Sequence, residues 1–202
     1  MRVNFPEAII KSDEDIKRAI TQDCGVHMLA APIREEVKVQ KGVETKLTGK
    51  TVEISGPKGK LTRTFDIPGI GLKHEGELIV VEATLPRRKQ RAAVGAVKSH
   101  LLNMMKGVTE GFTYKLRIVY AHFPITVKVE GERALVHNFL GERSPRVAKI
   151  IGSAKVQVKD DEIIVEGIDK GEVGQTAFNL EQATFVKRRD PRTFQDGIYR
   201  VT

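Results

Sequence analysis

The residues best suited to proton transfer or metal ligation are five histidines, His27, His74, His100, His122 and His137, and their spacing supports neither role. None stands at a metal-ligand spacing to Cys24, to a carboxylate or to another histidine, so each reads as a surface or packing residue. The single cysteine, Cys24, allows no disulfide within the chain and suits a reducing compartment. No serine or cysteine sits in a pattern that pairs a nucleophile with a base. Gly69-Ile70-Gly71 is a fragment of a Gly-rich loop, but it lies between two strand-like segments, where a dinucleotide site does not form. Gly56-Pro57-Lys58-Gly59-Lys60 lacks the spacing and the hydroxyl of a phosphate-binding P-loop and reads as a hairpin turn. No enzyme activity, cofactor, metal or small-molecule substrate is expected.

Cation clusters carry the stronger signal. Arg87, Arg88, Lys89 and Arg91 open a helix-like segment; Arg143, Arg146 and Lys149 lie together near Ser144; Lys187, Arg188, Arg189 and Arg192 follow a second helix-like segment, with Tyr199 and Arg200 close behind. Long cationic side chains on loops and tails reach phosphate oxygens without a groove-fitting helix, and arginine pairs bidentately with phosphate. A single cluster of this kind reads as a solvated surface; three of them favour RNA. Gly171-Glu172-Val173-Gly174-Gln175-Thr176 starts the second helix, where free backbone donors and Gln175 suit a phosphate. Glu172 argues equally for a plain acidic cap.

Composition agrees with an anionic partner. The 202-residue chain carries a net charge of +8 with 40% hydrophobic residues, which fits one large or two small domains with a buried core. No apolar run approaches a membrane span, and the first residues lack a signal-peptide core. Aromatic residues make up 5% and tryptophan is absent, so base-stacking platforms are not expected. Residues 31–117 hold 17 basic and 9 acidic groups, against 13 and 12 in residues 118–202. Bulk charge thus points to the first half. Screening over about 8–10 Å makes local patches matter more than totals, and the second half segregates its charges: acidic at 160–172, basic at 143–149 and 187–200.

Hydrophobic periodicity supplies the elements that would position these groups. Thr51-Val52-Glu53-Ile54-Ser55, the turn at 56–59 and Leu61 to Ile67 form one hairpin; Leu72-Lys73-His74 and Glu77 to Ala83 form another. A helix follows Pro86, with Val94, Val97, Leu101, Met104 and Val108 on one face and Gly107 placed to end it. The order then repeats. Thr126 to Glu130 with a return strand over 134–140 matches the first hairpin. Val156 to Val158, Asp160-Asp161 and Ile163 to Glu166 match the second. A helix over 172–184 carries Val173, Ala177 and Leu180. The first motif recurs after 75 residues and the second after 84, so about nine residues are inserted near 140–150, as a basic loop. The expected fold is α+β, with two tandem duplicated domains, each an antiparallel-rich β-sheet packed with one main helix. Their bounds are 31–117 and 118–202, the second ending in a basic C-terminal tail.

Residues 1–30 stand apart as an N-terminal extension, with Ser12 capping a short amphipathic helix over 13–24 and Gly25 behind it. Met28 is either the natural start, or the segment is a genuine arm that docks elsewhere.

The run Gly174-Gln175-Thr176-Ala177-Phe178-Asn179-Leu180-Glu181-Gln182-Ala183-Thr184, then Arg189-Asp190-Pro191-Arg192-Thr193-Phe194-Gln195-Asp196-Gly197-Ile198-Tyr199, resembles the large-subunit ribosomal protein six family in its archaeal and eukaryotic branch. Asn138-Phe139-Leu140-Gly141-Glu142, Gly49-Lys50-Thr51-Val52 and Gly56-Pro57-Lys58-Gly59 match too, so the resemblance covers about 28–202. It implies two duplicated α+β domains in a cytoplasmic ribosome. It also implies binding to large-subunit rRNA beside the sarcin–ricin loop and stalk base, contacts with neighbouring ribosomal proteins, and an indirect role for translation factors, with no membrane partner. The second domain would make most of the RNA contact. The expected RNA-binding residues are then Arg143, Ser144, Arg146, Lys149, Gln175, Lys187, Arg188, Arg189, Arg192, Tyr199 and Arg200, with Arg87, Arg88, Lys89 and Arg91 as secondary RNA or partner contacts. The family's Gly-x-Ser-x-Pro loop fits Gly141 to Pro145 only inexactly.

Overall fold

Alternating apolar residues build thirteen strands among the residues described by the computed structural model, which are 32–201 apart from Lys41, Thr84, Leu85, Arg188 and Pro191. The helix expected over 13–24 and Met28 lie outside these residues. In the first domain β1 (Ile33–Lys38), β6 (Leu78–Ala83) and β5 (Gly71–Glu75) form one antiparallel sheet in that order, and β2 (Glu44–Thr48), β3 (Thr51–Gly56) and β4 (Gly59–Thr64) form another. Strand β3 shows why: Val52 and Ile54 point inward and are buried, while Thr51 and Glu53 face outward. Helix α1 (Arg88–Thr109) lays Val94, Val97, Leu101, Met104, Met105 and Val108 onto β1, β3 and β6. Each fully buried side chain of this size contributes about 1.5–3 kcal/mol.

The second domain repeats the plan with two additions. Strands β11 (Lys155–Lys159), β12 (Glu162–Gly167) and β7 (Phe112–Val119) correspond to β5, β6 and β1, and β8 (Thr126–Glu130) and β9 (Arg133–His137) to β3 and β4. Helix α2 (Lys170–Ala183) covers them with Val173, Ala177 and Leu180. The two helices and duplicated antiparallel sheets are the α+β pair expected. The additions correct two expectations. The insert near 140–150 is not simply a loop, because β10 (Arg146–Lys149) pairs with β9 and buries Ala148. The C-terminal segment is not a free tail, because β13 (Gly197–Val201) adds a fourth strand to β7 and buries Ile198. The boundary also moves: β7 belongs to the second sheet, so a division between 117 and 118 would cut that strand.

Close backbone approach joins the domains. Ile168, between β12 and α2, packs against the first core, and a Cβ on Gly59 would lie 2.7 Å from its Cδ1. Gly107 lies inside α1 and does not end it as expected. A Cβ there would overlap the carbonyl oxygen of Ile168. Gly95, in the same helix, has open space around it. One substitution at two sites therefore has opposite signs. Gly95→Ala is expected to raise Tm by about 2–4 °C through helix propensity worth about 1 kcal/mol. Gly107→Ala is expected to lower it by a similar or larger amount, since overpacking costs about 1–3 kcal/mol. Thermal melts of both variants check this; equal shifts would deny the domain contact.

His100 lines the cleft between the domains with Arg63, Asp169 and Tyr114. Its Nδ1 lies 3.2 Å from the Arg63 guanidinium, which donates to it. Burial, then the Arg63 charge, hold its pKa below the usual 6.5 against the opposing pull of Asp169. The folded chain therefore binds fewer protons here than the unfolded chain, and stability from this site is full above 6.5 and lost as pH falls through the lowered folded value. Tm is expected to drop less between about pH 7.5 and 5.5 in His100→Gln than in the parent chain. Parallel curves would exclude His100 as a contributor.

Candidate nucleic-acid interface

A left-handed turn starts the site. Asn138 (φ 59°), Leu140 (φ 52°) and Gly141 (φ 77°) all take positive φ and reverse the chain after β9, burying Phe139. Asn138 tolerates this conformation well, and its side-chain amide donates to the Pro124 carbonyl at 3.1 Å. The turn brings Glu142 opposite Arg146. The Arg146 guanidinium donates to both Glu142 carboxylate oxygens, from Nε at 2.8 Å and Nη2 at 2.6 Å. Its Nη1 donates to the carbonyls of Ala183 at 3.0 Å and Phe185 at 3.1 Å, and the group lies 4.3 Å above the Phe139 ring. Hydrogen bonding from Arg146 lowers the Glu142 pKa most; burial opposes it, and the charges of Arg146 and Arg189 add to the lowering.

Arg146 therefore joins two clusters far apart in sequence. It ties the 142–149 segment to the end of α2, directly before Lys187. The chain beyond is also fixed. Asp190 Oδ1 accepts from the Arg192 amide at 2.9 Å, and the Asp190 carbonyl accepts from Thr193 at 3.2 Å and Phe194 at 3.0 Å. Arg189 stacks 4.8 Å over Phe194. Buried Asp196 accepts from the Ala121 amide at 3.1 Å, and Thr184 Oγ1 accepts from Ile198 at 2.9 Å. Arg143, Ser144, Lys149, Lys187, Arg189 and Arg192 are all exposed, and Arg143, Lys149, Lys187 and Arg192 make no salt bridge among the described residues. Five exposed cations, Arg143, Lys149, Lys187, Arg189 and Arg192, thus stand on two segments that Arg146 ties to one another, on a backbone fixed by hydrogen bonds. Such an arrangement binds a phosphate backbone with little reordering.

Several expected residues stand elsewhere. Arg146 is half-buried, and its guanidinium donates to Glu142 and to the Ala183 and Phe185 carbonyls, so within the fold it supports the segment on which the other cations stand. Gln175 donates to Asn179 at 3.0 Å, and Asn179 donates to the Lys149 carbonyl at 2.8 Å, which fastens α2 to β10. At the start of α2 Asp169 accepts from the Gly171 amide at 2.7 Å, whereas Glu172 turns to the neighbouring loop, its Oε2 accepting from the Ser153 amide and hydroxyl at 2.8 and 3.1 Å. The acidic cap of that helix start is therefore Asp169, not Glu172. Tyr199 and Arg200 project to opposite faces of β13. Tyr199 lines the groove with Arg189 and Phe194, whereas Arg200 lies 5.8 Å over Tyr114. Arg188 lies outside the described residues.

Arg87, Arg88, Lys89 and Arg91 are exposed at the start of α1, whose N-cap Arg87 makes no side-chain cap bond. Gly107 lies near the other end of this helix, so at about 1.5 Å per residue the cluster stands about 24–30 Å along α1 from the domain contact. Sequence reading overlooked Phe139, Glu142 and Asp190. The Glu142–Arg146 spacing and the Asp190-Pro191 turn signal were the available cues.

Comparison with known proteins gives an independent result. The model of a family described as Ribosomal protein L6 matches residues 39–111 and again residues 123–197, once for each domain. The chain is 49% identical over 175 residues to the large ribosomal subunit protein uL6 of Methanobrevibacter smithii, covering 87% of this chain and 98% of that one. It is 52% identical over 170 residues to the protein of the same name from Methanosarcina mazei, covering 84% and 96%. To the Aeropyrum pernix protein it is 50% identical over 166 residues, covering 82% and 91%.

Proposed function

The chain belongs to the ribosomal protein L6 family, in its archaeal form, and from that premise we propose that its second-domain patch is the surface by which it holds large-subunit rRNA. It is a structural, non-catalytic constituent of the large ribosomal subunit and works in the cytoplasmic ribosome among rRNA and neighbouring ribosomal proteins. The observation that carries the patch assignment is the Arg146 junction, which ties the segment bearing Arg143 and Lys149 to the backbone that leads into Lys187, Arg189 and Arg192. The two domains act as a rigid wedge between RNA segments, and the cations neutralise phosphates that would otherwise repel one another. Recognition is mostly of backbone and shape, because the patch presents point charges and forks and inserts no helix into a groove.

The RNA segment we assign to this patch lies beside the sarcin–ricin loop and the stalk base, a reading supported by the resemblance to the family rather than by any contact in the fold. The benefit to translation factors is indirect, through holding that region in place. Hydroxyl-radical footprinting of large-subunit rRNA with the purified chain tests this. Protection confined to those two regions supports the placement, and protection only elsewhere in the rRNA removes it.

A further inference from the structure

Phe185, Phe194 and Tyr199 line one groove of about 600 Å³ between the end of α2 and β13, with Arg189 in its wall. The chain has eight phenylalanines and three tyrosines, so three of its few aromatic rings gather in this one place. Phe185 is 57% exposed and Tyr199 44% exposed. Neither is carried on loose backbone. The Phe185 amide donates to the Gln182 carbonyl at 3.2 Å and its carbonyl accepts from Arg146 at 3.1 Å. The Tyr199 hydroxyl donates to the Gln195 carbonyl at 3.1 Å, and its ring fills the space a Cβ on Gly197 would need. Arg189 already stacks on Phe194 and presents a second planar surface.

Exposed rings held still beside cations are the combination on which single-stranded bases stack, with the flanking phosphates held by the charges. We propose that this groove receives an unpaired RNA nucleobase, which stacks on Phe185 and Tyr199 while Lys187, Arg189 and Arg192 hold its neighbouring phosphates. The low aromatic content that argued against stacking describes the chain average; the rings are concentrated where the charge is. A protein partner would need carboxylates opposite three cations and an apolar group between them, whereas a nucleotide supplies both chemistries in one unit. The inference rests on the RNA-binding reading and deepens it from phosphate backbone to backbone plus one base.

The absence of tryptophan gives a direct test. Phe185→Trp places a single fluorophore in the groove and keeps the stacking surface. The full chain is titrated with large-subunit rRNA, with an oligoadenylate of about ten nucleotides, and with an abasic strand of equal phosphate count. Oligoadenylate is expected to quench the fluorophore and the abasic strand to leave it unchanged. Phe185→Leu is expected to weaken oligoadenylate about tenfold while abasic binding and salt dependence stay as in the parent chain. Because Phe185 is largely exposed, its replacement leaves the core intact, and Tyr199→Leu provides a second, independent variant. A chain that binds rRNA but whose fluorophore responds equally to both strands, or to neither, overturns the base-stacking proposal and leaves the phosphate patch standing. A chain that binds no rRNA removes the RNA reading with it.

Discussion

Replacing Lys187, Arg189 and Arg192 by Ala is expected to roughly halve the salt sensitivity of rRNA binding. Counterion release gives a slope in log K against log salt of about −0.7 to −0.9 per neutralised phosphate. If each of the five exposed cations meets one phosphate, the parent slope is about −4, equivalent to roughly 200-fold weaker binding at 0.2 M than at 0.05 M salt. Three fewer contacts leave a slope of about −1.6 and a loss of roughly tenfold over the same range. Filter binding at several salt concentrations reads both. The matched control replaces Arg87, Arg88, Lys89 and Arg91, which stand about 24–30 Å from the domain contact along α1. This control separates local patch from bulk charge, since the first domain carries the larger net charge and bulk attraction would make its cluster matter as much. An unchanged slope in the control is expected. A change there as large as in the second domain would favour bulk charge.

Arg146→Met should have the second-largest effect, and by a different route. Methionine still packs on Phe139, but the bidentate contact with Glu142 and both bonds to the Ala183 and Phe185 carbonyls disappear. Hydrogen bonds to charged groups contribute about 1.5–3 kcal/mol each. The Arg146 side chain is 26% exposed, so water recovers part of the loss. A net destabilisation of about 2–3 kcal/mol is expected, seen as a Tm lower by roughly 5–10 °C. RNA affinity should fall as well, because the segment bearing Arg143 and Lys149 is no longer tied to the end of α2 that leads into Lys187 and Arg189. Arg146→Lys discriminates the roles. Lysine restores the charge but not the fork, so affinity and Tm should both stay low. Full recovery of affinity with lysine would make Arg146 a direct phosphate contact.

The contrast between these two predictions marks what the sequence disclosed. The cation clusters were legible as residue types, and the paired hairpins were legible because Val52 and Ile54, or Ile163 and Val165, alternate cleanly beside turn residues. The duplication followed from their order. Strand β1 was harder: Ile33-Arg34-Glu35-Glu36-Val37-Lys38 has apolar residues at only two positions, and Glu35 is held by Lys98 at 2.7 Å. Strand β7 alternates through Phe112, Tyr114, Leu116 and Ile118, but the sheet a strand joins is a tertiary fact that alternation does not encode. Strand β10 spans four residues with only one buried, which left it looking like a loop. The joining of the 143–149 and 187–192 clusters was hidden for the same reason. It depends on carbonyl groups of Ala183 and Phe185, and main-chain acceptors carry no residue signature. The sequence groups Arg146 with the other exposed-looking cations, and only the fold shows its guanidinium bonded to Glu142 and to those two carbonyls.

Sedimentation of cell lysate on a sucrose gradient tests the role of the second-domain patch most directly, with the parent chain and a Lys187→Glu, Arg189→Glu, Arg192→Glu variant each followed by mass spectrometry. The parent chain is expected to travel with the large subunit and the variant to remain near the top of the gradient. A parent chain confined to the soluble fraction, or a variant that sediments with the subunit as fully as the parent, would contradict it.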